Sequence, residues 1–495
     1  MRRFRLALVT SLICASACSL LLDTEALQGT TGTGGSAGGG GTGGVDLDAS
    51  HDAGAGCTTD IDCQPVGTVD GCMSYKCVDN TCASPTKFVG LGVVSVGTEA
   101  ENAEQAEDFG YPSLIADGTD LVLAAWKRTG AQTNIVVRKY DENPLLLPAS
   151  ADLNVITGNR FESVSSSPGI IMRNLPRRIR LLAAAKPTGT AATGMYQMDI
   201  DLASLRASMN QPTKSDLAVT GYDTPPRSSP PRLLPGPALG EPVGMWIQQG
   251  KVFYFDANNT GEVFGSKRVI GFAPLAANAG LHAALETTAL GASDDQGETE
   301  LWTRGSPALT ALINDQPGAR RRGVAATATA EGAGPVNFVL WSFERAGAPS
   351  LFYAGAGCDA NQCVGFGAPS TDTFAAVSPA VASTKVNGGA GERDMAVAFQ
   401  VTAPDATRPS GVNTAIIGGL SRLTTGQDAG GSIGSVAANP PQFVVNLSGL
   451  PAANVGPTSV AMTGGGLMMV AWVERNPNMS MALLKTRRFQ VKACQ

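Results

Sequence analysis

Ten cysteines and two histidines hold most of the nucleophilic, redox and metal-binding capacity of this 495-residue chain. Five of the cysteines crowd together as Cys57, Cys63, Cys72, Cys77 and Cys82, with little apolar sequence between them. A segment that short buries no core of its own, so covalent crosslinks must hold it. Zinc is the competing use, but no Cys-x-x-Cys pair occurs; the nearest spacings are the four-residue gaps between Cys72, Cys77 and Cys82. The expectation is disulfides and no metal. Cys358 and Cys363 flank Asp-Ala-Asn-Gln and are expected to bond across a hairpin. So small a loop contributes roughly 2 kcal/mol in the chain-entropy model. Five is an odd number, and Cys494 is left over at the far end. The count therefore predicts that Cys494 bonds to one member of the cluster and brings the two ends of the folded region together.

The histidines offer little. His51 lies in a low-complexity stretch, and His282 sits alone in Gly-Leu-His-Ala-Ala-Leu, the setting of a packed strand or loop residue. A Ser-His-Asp or Cys-His device needs a histidine with partners, so no catalytic residue of that kind is assigned. Asp46, Asp48, His51 and Asp52 read as a solvated acidic linker. Asp256-Ala-Asn258-Asn-Thr260-Gly261 opens like a calcium loop, but its twelfth position is Lys267, where a bidentate glutamate is required. A hairpin turn is expected there instead. Without a P-loop, a Rossmann fingerprint or a haem motif, no cofactor is expected. Arg177-Arg178-Ile-Arg180 and Arg320-Arg321-Arg322 are basic runs in a chain of net charge −6. That balance argues against nucleic acid. Solvated loops are the first reading of these runs, and a polyanionic glycan site is the second.

The scaffold that must position any site is written most clearly in residues 112–140. Two almost wholly apolar runs, at 121–126 and 135–137, follow turn signals at Gly118 and Gly130. An uninterrupted apolar run suits a strand buried on both faces. A variant returns at residues 457–485, where Pro457 and Gly464-Gly465-Gly466 precede a run ending in Trp472. Ile135 and Met481 each follow a tryptophan by nine residues. Looser copies contain Trp341, Phe399 and Trp246, and weaker ones lie around Leu181 and Trp302. A repeat of about 40 to 60 residues fits the blades of a β-propeller. The expectation is an all-β fold with about seven blades, six to eight, over residues 88–495. The acidic stretch 99–108 is read as a polar surface turn ahead of the first blade.

Ser293-Asp-Asp295-Gln-Gly297-Glu-Thr299 resembles the Asp-box of sialidase-type propellers, with the tryptophan displaced to Trp302. In that family the box is a structural turn, so the resemblance implies a fold and not an activity. The family's arginine triad and catalytic tyrosine are not located by any motif.

The N-terminus carries a basic start, Met1-Arg2-Arg3-Phe4-Arg5, and a short apolar stretch ending Ala15-Ser16-Ala17-Cys18. The stretch is too short for a membrane span and has the form of an export signal. It resembles a bacterial lipobox with Ala15 in place of leucine, which implies lipidation of Cys18 and loss of Cys14 with the signal. Ser19 in second place implies the outer membrane; without lipidation, the protein is secreted. Ten of the sixteen positions from 29 to 44 are glycine. A Gly-rich coil over residues 29–56 reaches on the order of 30 Å, and residues 19–56 are expected to be a disordered tether.

Residues 1–18 are thus expected to be a signal and lipobox, 19–56 a linker, 57–87 a disulfide module and 88–495 a propeller. The function expected is a membrane-tethered, monomeric scaffold that binds an unidentified protein or glycan. The alternative is a carbohydrate-active enzyme of sialidase or lyase type, using carboxylates, Tyr and Arg from the central channel.

Overall fold

The computed structural model describes Gly56, Cys57, Cys63 and, between Cys72 and Cys494, the strands named here with their tighter turns. Among the described residues there is no α-helix; Ala452–Asn454 is a short 3-10 turn, and Cys63 is also in 3-10 conformation. The chain is a β-propeller. Its described strands form two small two-stranded sheets and seven sheets of four or five strands, antiparallel throughout.

Sheet 1 runs outward from Asp108–Phe109 and Ser113–Asp117 through Asp120–Thr129 and Gln132–Tyr140 to Ala149–Leu153. Sheet 2 follows from Phe161–Val164 and Gly169–Asn174 through Arg177–Pro187 and Gly194–Asp201 to Thr213–Ala218. Sheet 3 holds Arg232–Leu234, Val243–Gln248, Lys251–Phe255 and Thr260–Val263; sheet 4 opens with Arg268–Ala277 and Gly280–Thr288. Sheets 5 and 6 open with Arg320–Thr329 and Ala376–Thr384. Sheet 7 begins with Ser459–Met462, Leu467–Asn476 and Met481–Cys494, and takes its outer strands, Gly90–Ser95 and Glu104–Ala106, from the start of the folded region. The first strand of each sheet lies against the first strand of the next, and that of sheet 7 against that of sheet 1, so the ring closes.

The second strands show why the apolar runs are continuous. Val122, Ala124 and Trp126 join a cluster with Ile179, Leu181 and Ala183 of sheet 2. Leu121, Leu123 and Ala125, pointing the other way, pack with Met469, Ala471 and Val473 of sheet 7. Alternate side chains leave opposite faces of a strand, and in a ring of sheets both faces meet a neighbour. Sheet 7 does the same, with Met468, Val470 and Trp472 packed toward Ala396, Ala398 and Ile416 of sheet 6. Each fully buried Val, Leu or Ile is worth about 1.5–3 kcal/mol of burial.

Among the described residues there are three disulfides: Cys57–Cys77, Cys63–Cys82 and Cys72–Cys494. The cluster Cys57, Cys63 and Cys82 brings sulfurs close enough for a metal, but all three are bonded to other cysteines or to each other and offer no thiolate. Cys494 faces Gly90 at the last pair of the ladder between Met481–Cys494 and Gly90–Ser95. Cys14, Cys18, Cys358 and Cys363 lie outside the described residues.

Several expectations need correction. Of the acidic stretch 99–108, residues 104–106 and 108 are strand and no surface turn, while 99–102 lie outside the described residues. Glu104 pairs with Lys127 and Arg138, both at 2.8 Å, and Asp108 with Arg475 at 3.0 Å. These pairs tie sheet 1 to sheet 7, and the nearby Tyr140 phenol is pushed up in pKa chiefly by burial. The nine-residue spacing after the tryptophans is coincidental: Ile135 does face Trp126, but Trp472 faces Lys485, and Met481 faces Asn476. Trp302 belongs to a third strand, Glu298–Thr303, not a second. Gly244 sits inside the strand Val243–Gln248, where a Cβ would come 2.7 Å from the Leu182 side chain. The basic run at 177–180 is strand rather than loop, with Arg180 paired to Asp199. Arg320 opens the first strand of sheet 5 and is likewise not in a loop.

Candidate functional site: the channel mouth

The starts of the first strands converge at one end of the central channel. Sheets 1, 2, 3 and 7 reach this end through prolines: Pro112, Pro168, Pro231 and Pro457 each stand one or two residues before their strand. Proline lacks an N–H and ends the ladder there. The backbone freed in this way is held by hydroxyls across the sheet boundaries. The Tyr111 amide donates to Ser167 Oγ at 2.6 Å, Ser113 Oγ donates to the Pro168 carbonyl at 2.6 Å, and the Leu114 amide donates to Ser459 Oγ at 3.1 Å. Sheets 2 and 3 approach still more closely. A Cβ at Gly169 would lie 2.1 Å from the Pro231 carbonyl oxygen, so only glycine fits. The Val269 amide donates to the Gly250 carbonyl at 2.7 Å, which brings the start of sheet 4 to the same end.

This convergence places Arg232, the first residue of sheet 3's first strand, near Tyr111. The guanidinium's pKa is pushed down by loss of hydration, and the ionisable neighbour that acts back on it is the Tyr111 phenol. Among the described residues no carboxylate pairs with it. Two carboxylates on second strands, Glu474 and Asp120, are matched. Glu474 accepts from Asn446 Nδ2 at 2.6 Å and Trp472 Nε1 at 3.2 Å, and pairs with Lys485 at 3.0 Å. Asp120 pairs with Lys139 at 3.0 Å. Arg268 and Arg320 open the first strands of sheets 4 and 5, so three successive sheets begin with arginine. Arg232 and Tyr111 are both partly buried at the mouth.

His282 lies within Gly280–Thr288, opposite Leu275 and Thr303, near the end of the strand remote from the mouth. The stretch 289–297, with most of the Asp-box, lies outside the described residues, as do 256–259 and 264–267 of the calcium-loop candidate. The strands Lys251–Phe255 and Thr260–Val263 do pair as a hairpin.

No protein-family model and no curated protein matches the chain. Solved structures do resemble it. One is the NanB sialidase of Streptococcus pneumoniae, 9% identical, covering 79% of this chain and 70% of that one, with a TM-score of 0.35. Another is the intramolecular trans-sialidase of Ruminococcus gnavus, 11% identical, covering 80% and 96%, TM-score 0.34. A third is the GH93 α-L-arabinofuranosidase of Fusarium graminearum, 8% identical, covering 77% and 92%, TM-score 0.35. Likeness at this level concerns the course of the chain and no side chain.

Proposed function

We propose that the channel mouth binds an acidic carbohydrate, whose carboxylate pairs with Arg232 while Tyr111 stacks on or donates to the sugar. The observation that carries this reading is Arg232 itself: a partly buried arginine that opens the first strand of sheet 3 at the channel mouth, close enough to Tyr111 for their charges to interact, with no carboxylate paired to it among the described residues. The test is isothermal titration of the full chain with a uronic-acid oligosaccharide and with a neutral one of equal length. Wild-type protein is expected to bind the acidic probe only. Arg232→Met is expected to weaken that binding about tenfold to a hundredfold, the worth of one charged hydrogen bond. Equal binding of both probes, or an unaffected variant, refutes the reading.

A second reading is turnover. A phenol beside a guanidinium is a group from which a covalent nucleophile can be made, and Tyr111 occupies that position. Release of new reducing ends in the same mixtures, lost in Tyr111→Phe, decides for an enzyme.

The envelope location is part of the same proposal and rests on the lipobox-like Ala15-Ser16-Ala17-Cys18. Cys18→Ser is expected to move the protein from the membrane fraction to the soluble one and to abolish labelling by radioactive palmitate in a bacterial host. Unchanged fractionation defeats lipid anchoring.

A further inference from the structure

The ring is closed by a ladder whose open end is exposed to peeling. Gly90–Ser95 pairs with residues 489–494 from Ser95↔Phe489 to Gly90↔Cys494. Residues 491–494 extend beyond Leu467–Asn476, whose pairing begins at Leu467↔Gln490, so their ladder partners are residues 90–93. Leu91 and Val93 enter the core between sheets 6 and 7. The chain arriving from the N-terminal side meets this ladder at Gly90, at the pair where unzipping starts. Tension there would part the pairs one at a time, which is the least resistant way to open a two-stranded ladder.

The Cys-rich segment changes that geometry. Cys72 is bonded to Cys494, the residue directly across from Gly90. Cys72 itself lies inside both loops closed by Cys57–Cys77 and Cys63–Cys82. The backbone also runs into this unit, with the Cys57 amide donating to the Asn80 carbonyl at 3.0 Å and the Ala83 amide to that of Lys76 at 2.9 Å. A pull on the chain ahead of Gly56 therefore reaches both strands of the ladder together.

We infer that the disulfide-linked unit of Cys57, Cys63 and residues 72–87 is a clamp for ring closure: it blocks unzipping of the outer strand from its free end, so the propeller stays shut when the preceding chain is under tension. The bond Cys72–Cys494 is its working contact, and the other two disulfides make Cys72 a fixed tooth.

Hydrogen exchange resolved by residue tests this on the full chain, comparing wild-type protein with Cys72→Ser/Cys494→Ser. The expected result is exchange faster by about tenfold or more at residues 91–95 and 489–493, as an opening that was forbidden becomes local and cheap. Residues 121–126 of sheet 1 should keep their protection. If the double variant does not fold, natively folded wild-type protein reduced with a phosphine is measured against its oxidised form. Unchanged exchange in the closing ladder overturns the clamp. So does an equal rise in every sheet, which would make the bond a general stabiliser and no guard of this ladder.

Discussion

Replacing Trp472 with alanine is expected to lower the stability of the propeller by about 3–5 kcal/mol, the range for a large buried aromatic whose cavity cannot collapse. Trp472 is fully buried, in a cluster with Val470 of its own strand and Ala396, Ala398 and Ile416 of sheet 6. Both walls of the resulting void are sheets fixed by ladders, so relaxation into it is small. The indole also does polar work. Its Nε1 donates to Glu474 Oε1 at 3.2 Å, and Glu474 in turn accepts from Asn446 of sheet 6 at 2.6 Å. Trp472→Phe separates the two contributions: it keeps most of the apolar volume, loses the donor and should cost about 1–2 kcal/mol. Chemical denaturation of the three proteins measures both steps. A loss below about 1 kcal/mol for the alanine variant would mean that sheets 6 and 7 are not packed face to face as described.

How much of this was legible in the sequence varies with the distance over which each cause acts. The strands and the wheel were legible because a run such as residues 121–126, apolar at every position, fits little except a strand covered on both faces. The odd number of clustered cysteines likewise pointed to a bond with Cys494, since parity is a property of the composition alone. The phase of the repeats was not legible. From Pro112 to Trp126 is 14 residues (126 − 112), and from Pro457 to Trp472 is 15 (472 − 457). A slip of one residue turns a strand side chain to the opposite face. Trp126 accordingly packs forward onto sheet 2, donating to the Val164 carbonyl at 2.8 Å, whereas Trp472 packs backward onto sheet 6. Trp246 also packs backward, onto Leu182 and Met195 of sheet 2. Asp108 was misread because its partner is far along the chain, Arg475 being 367 residues away. Arg232 was missed because one arginine after two prolines resembles any loop. The available signal was positional: Pro112, Pro168, Pro231 and Pro457 recur ahead of first strands, and Arg232 follows one of them directly.

Arg475→Ala should destabilise the ring by about 3–5 kcal/mol, because it strips one partner from a buried ion pair and leaves the other charge uncompensated. Arg475 crosses from sheet 7 to sheet 1 and uses all three guanidinium nitrogens. Nε pairs with Asp108 Oδ1 at 3.0 Å, one terminal nitrogen donates to the Gly456 carbonyl at 3.3 Å, and the other donates to the Phe109 carbonyl. A lysine keeps the charge but not the three-way fork, so Arg475→Lys should recover less than half of the loss. The double variant with Asp108→Asn should cost less than the two single changes added together, by about 1 kcal/mol or more, as contacting partners in one network do. The site should feel the same change. Phe109 lies two residues before Tyr111, so losing the hold on its carbonyl loosens the segment that carries the phenol toward Arg232. Arg475→Ala is therefore expected to weaken acidic-oligosaccharide binding as well as stability, whereas loss of Cys72–Cys494, on the outer edge of sheet 7, should leave affinity at the mouth unchanged. Thermal denaturation and titration of both variants make the comparison. Equal loss of affinity in the two would show that closure of the ring as a whole, and not the Arg475 fork beside Phe109, holds the mouth in shape.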